Sequence, residues 1–163
     1  MDVEVIKKAV AQIGAGLAPD ADWQPILFVG HGKTISIVEF DPRLVNSGAG
    51  KEELAKLMAR AIDQFRASEC ILLGMAWAVR RDPSVFKGPV DPQVRYQADR
   101  QETVMLQHFD GLRNTVDVHI APVNRAENRP PSLGKWERQA NSMVMGRFSE
   151  TLLPVLCKYA PAG

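Results

Sequence analysis

Apolar residues recur along this chain with two different periods, and the switches between them mark out its elements. Val3, Ile6, Val10, Ile13 and Leu17 stand three and four apart, which gathers them on one stripe of a helix. Gly14, Gly16 and Pro19 then weaken and stop it, so its end is expected between Ile13 and Ala18. The period next falls to two. Trp23 to Val29 and Lys33 to Phe40 read as strands around a Gly30-His31-Gly32 loop, with Ile35, Ile37 and Glu39 on one face of the second and Val38 and Phe40 on the other. Leu54, Leu57, Met58, Ala61, Ile62 and Phe65 restore the helical period from about Lys51 to Arg66. Cys70 to Val79 is apolar on both alternating faces, the mark of a central strand covered on both sides, by a second helix layer or by a partner subunit.

From Arg80 to Arg100 three X-Pro pairs and the lack of an apolar period predict a long loop, a length that in compact domains tends to be functional or disordered. Glu102 to Phe109 and Arg113 to Ala121 form a second hairpin. A three-residue Asp110-Gly111-Leu112 loop would set Leu106 opposite Val116 and Val104 opposite Val118, with His108 and His119 on opposite faces. Asn124 to Pro131 reads as a surface loop, and Ser132 as the cap of a last helix that carries Trp136, Met143, Phe148, Leu152 and Leu156. The expected order is α-β-β-α-β-β-β-α. It describes a single α+β domain over residues 1–163, with a mostly antiparallel five-stranded sheet and helices packed on it.

Composition narrows the function classes. Twenty Lys and Arg against nineteen Asp and Glu leave a net charge of +1, so no overall field draws the chain to nucleic acid or to an acidic membrane. The apolar run at 70–79 is too short to span a bilayer, and the acidic start lacks the pattern of a secretory signal. A cytoplasmic protein is expected. Cys70 and Cys157, both in apolar surroundings, are expected as buried free thiols, and no Cys-x-x-Cys occurs.

Candidate chemistry is sparse. Gly32-Lys33-Thr34 imitates the end of a phosphate-binding loop, but Leu27 stands where its first glycine belongs and a strand follows instead of a helix. The three histidines lack metal-site spacing, and no motif calls for a cofactor. Glu39, Asp41 and Glu102 lie near strand ends, where clustered carboxylates could hold a divalent cation for phosphodiester hydrolysis; no lysine stands two residues after Asp41, as one nuclease pattern requires. Arg80, Arg81, Arg95 and Arg100 flank or lie within the long loop, while Arg125, Arg129, Lys135, Arg138 and Arg147 gather in the last third. With Trp136 and Tyr96 they could contact phosphates and stack bases. His31, on a glycine-flanked turn, is a further binding candidate.

Met75-Ala-Trp77 at a strand end, a proline-rich loop, and then Asp99-Arg100-Gln101-Glu102 entering a strand together resemble a group of small bacterial α+β proteins with no assigned activity. The likeness covers residues 23–121. Gly74 departs from it, since a small polar or acidic residue is expected there. The resemblance implies a fold and no reaction, and it singles out Trp77 and Glu102.

The leading expectation is a protein that acts by interaction, as a homodimer or a partner-binding module. It rests on the doubly apolar strand 70–79 and on a sheet whose two faces are too large for three helices to cover fully. A metal-dependent phosphodiesterase or nuclease using Glu39, Asp41 and Glu102 is one alternative, and nucleic-acid binding by the basic residues of the last third is another.

Overall fold

The computed structural model describes residues 1–78, 100–139 and 147–161. Helix α1 (Val3–Ala15) begins at Asp2, whose carboxylate accepts from the Glu4 amide, and ends inside the expected window. Strands β1 (Ile26–His31) and β2 (Thr34–Glu39) form the first hairpin. A 3₁₀ turn (Pro42–Asn46), capped by Asp41, leads into α2 (Gly48–Phe65), which the Ser47 hydroxyl caps from the Gly50 amide. Strands β3 (Glu69–Ala78), β4 (Gln101–Asp110) and β5 (Thr115–Asn124) follow, then the short β6 (Ser132–Leu133) and β7 (Glu137–Gln139), and α3 (Arg147–Cys157) closes the order.

The chain is α+β and its sheet antiparallel, but the sheet has seven strands rather than five. The five expected strands lie in the order β2-β1-β3-β4-β5, and both β6 and β7 pair with the outer side of β5. The sequence expectation ran the last helix back to Ser132. Pro130, Pro131 and Gly134 oppose a helix there, and the Gly134 amide bonds the Pro122 carbonyl at 2.8 Å, bending the segment along β5.

Both hairpin turns differ from expectation. His31 pairs with Thr34, so the first loop is Gly32-Lys33, with Gly30 and His31 inside β1; Gly32 takes a φ of +59°, which suits the first central position of a type II′ turn. The second loop has four residues, since Asp110 pairs with Thr115. The Asp110 carboxylate accepts from the Leu112 and Arg113 amides, and Asn114 closes the turn at a φ of +52°. Side chains alternate along a strand, so this register sets Leu106 opposite His119 and brings His119 to the same face as His108, contrary to the expected opposition.

Two cores flank the sheet. On one face Ile6 and Val10 of α1 pack with Trp23 against Ile26, Phe28, Ile71, Leu73, Val104 and Leu106. The Trp23 ring lies so close under α1 that a Cβ on Gly14 would stand 2.3 Å from it, and its indole donates to the Val10 carbonyl at 2.9 Å. On the other face α2 and α3 bury Leu54, Met58, Ile62, Leu152 and Leu156 against Leu27, Val29, Cys70, Leu72, Phe109 and Val118. The first half of the doubly apolar β3, up to Leu73, is therefore covered on both sides by the chain's own helices, which removes a bare face there as a reason for an interface. Cys70 is buried as expected, whereas Cys157 is exposed, its thiol donating to the Gly111 carbonyl at 3.2 Å. Apart from Arg100, the expected loop at 80–100 lies outside the described residues, as do Arg80, Arg81, Arg95 and Tyr96. Among the described residues no helix is long and apolar enough to cross a membrane.

Candidate functional site

Among the described residues the two edges of the sheet differ in cover. β2 pairs with β1 alone among the described residues, leaving its outer side open. A two-residue turn makes His31–Thr34 a hydrogen-bonded pair, so Thr34, Ser36 and Val38 direct their backbone groups to β1, and the Phe40 amide continues the alternation by bonding the Pro25 carbonyl. The backbone groups of Ile35, Ile37 and Glu39 consequently point outward. Their side chains share the α1 face, yet α1 packs over β1, β3 and β4, so Ile35 is 39% and Ile37 62% exposed.

The carboxylates proposed for metal-assisted hydrolysis do not converge. Glu39 is level with Ile26, Leu73 and Leu106 across the sheet, while Glu102 lies three strands away and four residues further along, roughly 19 Å from it by strand geometry. Asp41 caps the 3₁₀ turn and pairs with Arg43, whose guanidinium holds the carboxyl down at about 2. Glu102 accepts two bonds from Arg125, at 2.8 and 2.7 Å. The same guanidinium bonds Asp22 and the carbonyls of Pro19 and Ala21, tying the segment before β1 to the sheet, and these partners raise its pKa further. Among the described residues no three His, Cys, Asp or Glu side chains come together as a metal site.

The basic residues of the last third are likewise largely engaged. Arg125 is the clamp just described, Arg138 pairs with Asp117 at 2.6 Å, and Arg147 donates to the Gly48 carbonyl at 2.7 Å. His31 is exposed and its Nδ1 lies 3.3 Å from the Arg66 carbonyl, so it ties the hairpin tip to the end of α2. Trp77 and Arg100 are brought together: the guanidinium stands 4.5 Å from the ring centroid, and Trp77 is 45% exposed. Glu102 is the register partner of Trp77, so the residues singled out by resemblance share one end of the α1 face.

Sequence reasoning missed two features. His119 is only 6% exposed and its Nδ1 has no hydrogen-bond partner; burial, aided by Lys7 and Arg138, lowers its pKa and keeps the ring neutral. It lines a shallow hollow with Lys7, Asp117 and Arg138. The corrected β4–β5 register is what puts it there. The second feature is a cavity of about 580 Å³ on the opposite face, where β3 and β4 run past the cover of α2 and α3. Gly74, noted only as a departure from the resembled pattern, was the one sign of it.

No family model, curated protein or solved structure matches this chain.

Proposed function

We propose that this chain acts by self-association, joining a second copy along the free edge of β2. The observation that carries the reading is the outward pair Ile35 and Ile37 on a strand with no outer neighbour among the described residues, a template for strand addition that sheet proteins ordinarily blunt with charge, proline or a cover.

Backbone direction restricts how two β2 strands can meet. Only odd-numbered residues offer their amide and carbonyl groups outward, so a twofold antiparallel pair must match odd with odd. The register that sets Ser36 opposite its own copy matches Ile35 with Ile37 and Lys33 with Glu39, each twice. A shift by one step toward the chain's end would set Ile35 against Glu39 and Lys33 against Asp41; a shift the other way would set Lys33 against Ile37 and Glu39 against His31. Each shifted register keeps one isoleucine against its own copy but sets the other against a charged side chain; the centred register alone gives both isoleucines an apolar partner while Lys33 faces Glu39, and cross-strand pairs of both kinds stabilise a sheet.

Sedimentation equilibrium on the full chain tests the reading, with dimer as the expected species. Lys33→Glu and Glu39→Lys should each weaken dimerisation, and the double exchange should restore it, because each new residue again faces its opposite. A strictly monomeric protein at high concentration, or a double exchange weaker than either single one, overturns the proposal.

A further inference from the structure

We propose that the cavity under the α2 and α3 face binds a small apolar monocarboxylate. This inference uses a surface separate from the β2 edge and stands without it.

The hollow follows from the sequence. β3 and β4 are ten residues long, and β1 pairs only with the first half of β3, up to Leu73. Beyond that point the residues that face α2 and α3 are Gly74 and Ala76, where strands ordinarily carry large β-branched or aromatic side chains. A Cβ built on Gly74 would meet no atom within 4 Å. The floor is thus a strand stripped of side-chain volume, with Leu72 and Met105 beside it and Leu54 and Phe148 on the walls. A volume of about 580 Å³ lies within the range of small-molecule sites, roughly 300–1,000 Å³.

Two polar groups in this apolar setting select the ligand. Gln107 lines the cavity and is only 8% exposed, yet its amide donates to nothing better than the Met105 thioether at 3.5 Å. A buried primary amide without an oxygen partner is costly, and a bound acceptor would relieve it. The second group is Lys51 at the mouth. The other charges around the cavity are neutralised in place, Arg43 by Asp41 and Asp22 by Arg125, whereas Lys51 has no ion-pair partner among the described residues. The unbalanced charge is therefore positive. An anion with an apolar body fits this pattern: carbon on Leu72, Gly74 and Met105, carboxylate oxygens to Lys51 and Gln107.

Octanoate is the probe, with octanol and octylamine as uncharged and charge-reversed controls, titrated by calorimetry and by amide NMR. Octanoate should bind at one site and shift the resonances of Gly74 and the Gln107 side chain, with octanol and octylamine at least about tenfold weaker. Gly74→Leu should abolish binding without lowering the melting temperature, since the new side chain enters open space. Lys51→Gln should weaken octanoate about tenfold and leave octanol unchanged. Absence of octanoate binding at millimolar concentration overturns the proposal. So do shifts that map away from Gly74, binding that survives Gly74→Leu, and octylamine binding as tight as octanoate.

Discussion

The two edges of this sheet receive opposite treatment from one chain. Along β5 the protein lays β6 against Val123 and Asn124 and β7 against Val118 to Ile120, and it fastens the second of these with the Arg138–Asp117 pair. Along β2 it lays nothing among the described residues, although Ile35 and Ile37 there are more apolar than anything β7 exposes. Six strand residues with outward isoleucines invite pairing, and charged or short covers deter it. One edge is closed within the chain; the other stands open among the described residues. The faces teach the same lesson in reverse, since α1 on one side and α2 with α3 on the other already cover β1 and the first half of β3.

The largest effect expected from breaking this contrast is at β2. Ile37 directs its amide outward, so Ile37→Pro removes a donor from the free edge and leaves the β1 pairing in place. Dimerisation should fall by about a hundredfold or more, from a lost ladder bond and a lost apolar contact, while the melting temperature of the monomer changes little. Ser36→Pro, whose amide faces β1, should instead unfold the hairpin. If both variants weaken dimerisation without either affecting folding, the outward and inward assignment along β2 is wrong.

How much of this was legible beforehand depends on how local each determinant is. The helical stripes of α1 and α2 and the five long strands follow from spacing within a dozen residues, and they emerged close to their observed bounds. Turn lengths did not. One residue more in the loop after Asp110 exchanged the partners of every β5 side chain, and with them the surroundings of His119. The short strands β6 and β7 carry almost no pattern of their own and exist because β5 offers an edge to pair with. Coverage of β3 on both faces was expected, but its source was not, because which helix crosses to which face is a property of the whole topology. Glu39, Asp41 and Glu102 looked alike as strand-end acids. Only the fold reveals that arginines close in sequence, as Arg43 is to Asp41, or remote, as Arg125 is to Glu102, already engage two of them.

A smaller effect is expected at the covered edge. A Cβ on Gly134 would stand 2.6 Å from the Pro122 ring, so Gly134→Val should push β6 off β5. The cost should be about 1–3 kcal/mol, as for other overpacked contacts, read from urea denaturation. The variant should also associate more than its parent by light scattering, because it exposes a second edge. Unchanged stability would mean that β6 can shift without loss and gives the edge little protection.

The smallest effect sharpens the contrast through pH. His119 lies beneath the covered edge, facing Lys7 from α1, Arg138 from β7, His108 from β4 and Asp117 from its own strand. Burial, then Lys7 and Arg138, lowers its pKa below the ordinary 6.5. The unfolded chain therefore takes up the proton first, and stability falls as pH drops through about 6.5 and levels off below the folded value. His119→Leu should flatten that limb between pH 7.5 and 5.5, since leucine has no proton to take up and leaves no unpartnered nitrogen. Arg138→Gln removes one of the cations that depress the ring, so it should flatten the same limb in part. Its cost at neutral pH should be about 1 kcal/mol, because the Arg138 end of the pair with Asp117 is more than half exposed. An unchanged limb in Arg138→Gln would show that burial, and not the charge of Arg138, holds the ring's pKa down.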